Sequence, residues 1–187
     1  MKHIVILFLS ILTVSAYGQD KYNYLYSGRL MELKGTEYVV SKVENWGKML
    51  AVKSQYLLFV NTENGQMKRV DFPKDASLHH VEQIKIDSLQ INKVLVTAKT
   101  VNLDNNKHID WDDPTQILVV SPDGKDVVQL TDDNFFARDW VINNKTGNIL
   151  ITGHFDSNNN GKYDKADVYK ILLYSLRNLK LVAEVQQ

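Results

Sequence analysis

Apolar residues along this chain come in short runs of Val, Ile, Leu, Tyr and Phe, separated by Asn, Asp, Gly and Pro. Helix-period spacing is scarce. Runs of four to eight residues between turn-forming clusters predict strands, and so many of them predict an antiparallel all-β protein. Tyr22–Leu33 reads as one strand plus a connection, and the rest divides into three units of four strands. The first unit has Glu37–Val43, Trp46–Lys53, Tyr56–Asn61 and Met67–Asp71. The second has Val81–Asp87, Lys93–Thr100, Gln116–Ser121 and Asp126–Leu130. The third has Phe136–Ile142, Asn148–His154, Val168–Ser175 and Lys180–Val185.

The division rests on self-similarity. Lys93-Val94-Leu95-Val96-Thr97 matches Asn148-Ile149-Leu150-Ile151-Thr152. Further on, Asn105, Asn106, Asp110, Asp113, Ile117, Leu118 and Ser121 recur at a constant offset as Asn159, Asn160, Asp164, Asp167, Ile171, Leu172 and Ser175. In unit one, Lys48–Val52 is read as the start of the same element, and Ser54-Gln55 as the short link to Tyr56–Val60. Asn64-Gly65 and Asp123-Gly124 are tight-turn pairs, because Gly and Asn accept positive φ. Period and strand count predict propeller-like repeats, three four-stranded antiparallel blades.

In units two and three a long Asp/Asn-rich stretch falls at the tip joining the second and third strands. In unit three, Asp156, Asn158, Asn160, Asp164 and Asp167 stand at positions 1, 3, 5, 9 and 12 of an EF-hand-type loop. Gly161 takes position 6, where the loop turns sharply, and the backbone carbonyl of Lys162 takes position 7. Calcium is a hard cation that takes six to eight oxygens, and alternating oxygen-bearing side chains can wrap it. Asp167 is shorter than the bidentate Glu of sensor loops, which points to a structural Ca2+ site rather than a switch. Unit two carries a degraded copy with Asn102, Asp104, Asn106, Asp110 and Asp113 at the ligand positions and Lys107 where glycine is wanted. It reads as a weaker second site or a plain polar loop.

The first residues change the picture of where the chain works. Lys2 and His3 precede an apolar run from Ile4 to Val14, followed by Ala16 and Gly18 at the −3 and −1 positions of a cleavage site. That pattern predicts a signal peptide over residues 1–18, with residues 19–187 as one repeat domain, periplasmic or secreted. The run is shorter than the roughly 20 residues a membrane span needs. The chain has no cysteine, so neither a disulfide nor a lipid anchor on cysteine is expected. Lys and Arg total 22 and Asp and Glu 22, a balance that argues against nucleic acid or an anionic membrane as partner.

Ser121-Pro122-Asp123-Gly124-Lys125 followed by Gln129-Leu130-Thr131 resembles the signature of TolB-like (WD-repeat-like) β-propeller blades. Asp139-Trp140 ahead of Thr146-Gly147-Asn148-Ile149-Leu150 resembles the strand-pair pattern of the same family. Acidic Asn/Gly loops inserted in such blades are similar to those of exported Bacteroidetes proteins. The resemblance covers Val81 to the C-terminus and, in outline, Glu37–Asp71. It implies blades and binding surfaces, with no shared catalytic residues. Propellers close with about 4 to 8 blades, so three imply either a second chain completing the ring or an open arc with protected edges.

Other chemistry is weaker. His79-His80 reads as a solvated linker, since neighbours on a strand face opposite ways. His108 and His154 flank the acidic loops as rim residues. Asp112-Asp113 and Asp132-Asp133 read as turn residues, and no G-x-S-x-G elbow is present. Trp46 and Trp140 are expected at equivalent core positions. Trp111, inside the unit-two loop, is expected to pack down on that loop, with stacking on a sugar or peptide as its functional alternative. The reading taken is an exported, calcium-stabilised binding module for a protein or glycan ligand, with a homodimer as one way to close the ring. The alternative is an envelope hydrolase acting on polysaccharide or peptide.

Overall fold

A computed structural model describes residues 24–47 and 52–185; the segment read as a signal peptide lies outside the described residues. Among the described residues the regular elements are strands, apart from one 3₁₀ turn at Asp87–Leu89. In chain order they are β1 (Tyr24–Ser27), β2 (Met31–Glu32), β3 (Tyr38–Trp46), β4 (Val52–Asn61) and β5 (Met67–Asp71). Then come β6 (Ser77–Ile86), β7 (Ile91–Lys99), β8 (Gln116–Val120) and β9 (Val127–Gln129). The last group is β10 (Phe135–Asn143), β11 (Asn148–Phe155), β12 (Val168–Ser175) and β13 (Lys180–Val185).

They form three antiparallel sheets in the orders β1-β3-β4-β5, β6-β7-β8-β9 and β10-β11-β12-β13, with the short β2 beside β3. The fold is therefore all-β, three propeller-like blades in series. Among the described residues no helix is long and apolar enough to cross a membrane.

The middle sheet is covered on both faces, which is why its two central strands read as unbroken apolar runs. Val94, Val96, Ala98, Leu118 and Val120 pack with Val40, Leu57 and Phe59 of the first sheet. Their alternates Leu95, Ile117 and Val119 pack with Ile149, Ile151 and Leu172 of the third. A side chain buried this fully contributes about 1.5–3 kcal/mol relative to exposure. The β8–β9 turn locks onto this packing. Ser121 Oγ donates to Asp123 Oδ1 at 2.6 Å and accepts the N–H of Asp126 at 2.9 Å. Gly124 has φ +71, and a Cβ there would lie 2.6 Å from the ring of Phe59.

Unit one departs from the expected boundaries. Its first strand is β1, its second is β3, and its third is the whole of β4, in register from Tyr38↔Asn61 to Trp46↔Val52. Ser54 and Gln55 are not a hairpin tip; they lie inside β4 opposite Asn45 and Glu44. Gln55 is tolerated there because its amide is satisfied, accepting the N–H of Leu78 and donating to Glu44. A polar pair between two apolar runs imitated a turn. The connection between β3 and β4 falls at 47–51, so it has the same topological place as the two acidic loops; residues 48–51 lie outside the described residues.

Two other expectations are corrected. His79 and His80 belong to β6 rather than to a linker, with a register shift between Leu78 and His80 that makes His79 a bulge residue. Trp46 ends β3 while Trp140 lies within β10, so they occupy the second and first strands of their sheets and are not equivalent. Both are half-buried, and Trp140 packs against the core between the second and third sheets.

Candidate functional site

The acidic stretches sit where the repeat placed them, 100–115 between β7 and β8 and 156–167 between β11 and β12. Their backbones fold alike. In unit three, Asn158 Oδ1 accepts the N–H of Asn160 at 3.1 Å and Asn160 Oδ1 that of Lys162 at 2.8 Å. In unit two, Asp104 Oδ1 accepts the N–H of Asn106 at 3.1 Å and Asn106 Oδ1 that of His108 at 2.8 Å. Asp164 and Asp110 each accept the N–H two residues on, at 2.7 and 3.0 Å. Asp167 and Asp113 each accept the N–H three residues back, at 2.9 and 2.8 Å. Position 4 is left-handed in both, with Asn159 and Asn105 at φ 55. Asx turns repeated at alternate positions are how such a loop aims its oxygens inward.

The loops diverge at positions 1, 6 and 12. Asp156 is buried at 2 % exposure and accepts from the N–H groups of Asn160 at 3.2 Å and Gly161 at 2.9 Å. Asn102, its counterpart, donates to the carbonyl of Asn106 at 2.9 Å and leaves its buried Oδ1 without a partner. Gly161 takes φ +74, a conformation that Lys107 does not share. At position 12, Asp113 uses its second oxygen on the N–H of Leu103 at 2.7 Å, whereas Asp167 Oδ1 is buried with no hydrogen bond.

Charge at the loop centres is held by neutral donors. Asp164 Oδ2 accepts the amides of Asn158 at 3.2 Å and Asn160 at 2.6 Å. The N–H of Ala166, followed by these amides, holds its carboxyl below the ordinary value. Asp110 is lowered the same way, first by the N–H of Asp112 and then by Asn106. With those amides in the centre, no three His, Asp or Glu side chains converge as a metal-ready cluster among the described residues.

The two loops also touch. A Cβ on Gly161 would lie 2.7 Å from Asp104 Cα and 2.8 Å from the carbonyl oxygen of Leu103. Lys162 Nζ stands 3.8 Å from Asp104 Oδ2. His108 turns away to Asp75 at 3.1 Å. His154 packs edge-on against Tyr163 and Tyr169, at ring distances of 4.8 and 5.4 Å, as the expected rim residue.

Beside the loops lies a cleft of about 370 Å³ lined by Lys99, Trp111, Asp112, Arg138, Lys162 and Tyr163, among others. Trp111 does not pack down on its loop; it is 83 % exposed. Lys99, Arg138 and Tyr163 escaped the sequence reading. The one available signal for Lys99 was a lysine following the apolar run Val94–Ala98, broken only by Thr97. Arg138 is displaced by a bulge between Ala137 and Asp139 that no local pattern announces.

No family model matches the chain, and no curated protein matches it. Among solved structures it is similar to the Pyrococcus horikoshii acylaminoacyl peptidase, with 12% identity and a TM-score of 0.48. The match covers 87% of this chain and 25% of that one, so the chain spans about a quarter of that enzyme's length. A likeness at that level assigns neither family nor activity.

Proposed function

We propose that the protein is an exported binding module of TolB-like propeller type, whose acidic hairpin tips are ordered by calcium. The observation that carries the calcium reading is the pair of tips folded by the same Asx turns, each holding a buried oxygen without a partner, Asp167 Oδ1 and Asn102 Oδ1. A buried unpaired oxygen costs about 1–3 kcal/mol, and a cation would supply the missing partner. Asp156, Asn158, Asn160, Asp164 and Asp167, with the carbonyl of Lys162, would hold the ion in unit three. Asn102, Asp104, Asn106, Asp110 and Asp113 offer a poorer set in unit two. The oxygen-only donor set suits Ca2+ rather than a softer metal. Export rests on the sequence of residues 1–18.

Thermal melting of the mature protein in EGTA and in millimolar calcium tests this. Extracellular sites of this kind bind at about 10⁻⁴ to 10⁻³ M, and a ligand at a hundredfold excess over its dissociation constant adds about 2.7 kcal/mol. Calcium should raise the melting temperature, magnesium should do much less, and Asp156→Ala with Asp167→Ala should remove the gain. A parent protein that melts identically with and without calcium would end the reading. Intact mass of the exported protein should lack residues 1–18.

A further inference from the structure

Two β-bulges occur at matching places in the chain, in the first strand of the second sheet and the first strand of the third. In β6 the register jumps from Leu78 to His80, and in β10 from Ala137 to Asp139. A bulge re-aims the extra side chain, and bulges gather where strands border a functional site. The two extra residues, His79 and Arg138, line one pocket of about 230 Å³. That pocket shares Thr115, Ala137 and Arg138 with the 370 Å³ cleft beneath the acidic loops. The two adjoin at these residues as one groove in outline, and the larger alone is within the size range of ligand sites, about 300–1,000 Å³.

The groove is cationic at its centre and aromatic at its lip. The Arg138 guanidinium lies 4.2 Å from the Tyr163 ring centroid and, among the described residues, forms neither an ion pair nor a hydrogen bond. Its planar fork of donors is left for a ligand. Lys99 donates to the carbonyl of Asp113, and its ammonium is held below its ordinary value, first by burial. Asp113 pulls the other way and the Arg138 charge adds to the lowering. Two cations thus face one cleft at mutual cost. Lys162 adds a third from the unit-three loop, its Nζ 3.8 Å from Asp104. Trp111 stands at the lip with 83 % of its surface open. An exposed indole with nothing on it is a platform for a flat apolar face.

Three carboxylates line the two pockets, and Asp139, beside Arg138, has one oxygen taken by the N–H of Trp140 at 2.8 Å. Asp113 is buried with both oxygens occupied by N–H groups of Leu103 and Asp110. Asp112, next to Trp111 in the cleft, is half-buried and brings an acceptor. A simple anion would be repelled by Asp112. A sugar ring carrying an acid group uses all three features: its ring face on Trp111, its hydroxyls on Asp112, and its anion on the cations.

We propose that this groove binds an anionic saccharide, with a pyranose stacked on Trp111 and its carboxylate or sulfate held by Arg138, Lys99 and Lys162. The proposal rests on the reading of the protein as a binding module and names the ligand class for it. Tyr163 and Lys162 come from the unit-three loop and Trp111 and Asp112 from the unit-two loop. The ordering of those loops therefore sets the shape of the groove.

Calorimetric titration of the mature protein, in calcium and separately in EGTA, tests it with four probes. These are an oligogalacturonate, a heparin-derived sulfated oligosaccharide, a neutral cello-oligosaccharide, and an acetylated tripeptide with a free carboxylate. One or both charged saccharides should bind and the other two should not; which one binds identifies the source of the charge. Trp111→Ala and Arg138→Gln should each weaken binding by at least about tenfold, as residues at the centre of a site do. Trp111→Phe should restore part of the loss, and Trp111 is exposed enough that these variants should melt like the parent. Neutral and charged saccharides binding alike, the tripeptide alone binding, or charged binding untouched by both variants each overturns the proposal. So does binding of none of the four. The melting response to calcium is read separately, so a failed ligand with an intact calcium response sinks this inference and not the module.

Discussion

Gly161 and Asp104 belong to different loops, yet the space for a side chain on Gly161 is already filled by the backbone of Asp104, 2.7 Å from where a Cβ would sit. The glycine thus serves two purposes. It takes φ +74 inside its own loop, and it lets the two acidic tips meet backbone to backbone.

Gly161→Ala should accordingly cost more than a turn glycine does elsewhere. Gly65 has nearly the same φ, +73, with nothing within 4 Å of its Cβ position. Gly65→Ala meets only the left-handed backbone penalty, about 1–2 kcal/mol. Gly161→Ala adds a clash with backbone atoms that cannot swing aside. Chemical denaturation should rank Gly161→Ala below Gly65→Ala. Amide exchange should show protection lost in 102–113 as well as 156–167. Equal loss for the two variants would mean that the loops do not lean on each other.

Asp123 gives a pH prediction with a defined sign. Lys125 foremost, then the Ser121 hydroxyl, lowers its carboxyl from 3.8 to about 2. A lowered folded value means the carboxylate stabilises the folded state above the unfolded pKa, and that this is lost as pH falls from about 4 to about 2. Asp123 is half-buried but its partner Lys125 is exposed, so the effect is small and salt-sensitive. Carboxyl NMR should find a midpoint near 2 for Asp123, and Lys125→Met should move it upward. A midpoint already at the ordinary carboxylate value would contradict the turn geometry.

Much of the architecture was legible because alternation is local. Units two and three came out nearly strand for strand, since their hairpins place turn formers beside clean apolar runs. Unit one did not, because Gln55 is a buried polar residue whose satisfaction by Leu78 and Glu44 is a tertiary fact. The turn pattern of the acidic loops was readable because an Asx-turn loop writes its spacing into sequence. The groove was not readable. Lys99 and Trp111 stand on one strand and its following loop, but Arg138 joins them only because a bulge re-aims it and because the sheets pack side by side.

Self-association is expected from the two ends of the series. Leu150, Ile171 and Leu173 on the third sheet match Leu95, Ile117 and Val119, which on the middle sheet are covered by the next sheet. On the third sheet they are half-buried with no sheet beyond them among the described residues. The opposite end of the series presents Val39, Leu58 and Val60, likewise half-buried. Each end shows the kind of face the other end's interface uses. Sedimentation of the mature protein should find a dimer, and Leu150→Lys with Leu173→Lys should yield a folded monomer. A parent that stays monomeric at high concentration would rule out the two-chain ring.

Repairing the unit-two loop is the sharpest test of how its sequence limits it. Asn102 lacks the charge of Asp156 and donates where Asp156 accepts. Lys107 brings a positive charge to the tip and does not take the φ +74 of Gly161. Asn102→Asp with Lys107→Gly should give the loop a carboxylate at position 1 and the freedom to turn at position 6. Without calcium the double variant should melt below its parent, because an added carboxylate repels its neighbours and glycine costs about 0.5–1 kcal/mol of backbone entropy. With calcium the order should reverse. Placing the change in a background already carrying Asp156→Ala and Asp167→Ala isolates unit two, so any calcium response comes from the repaired loop. If the repaired loop stays as insensitive to calcium as that background, ligand spacing alone does not make the site. The polarity of Asp113, which spends its second oxygen on the N–H of Leu103, would then be what closes unit two to the ion.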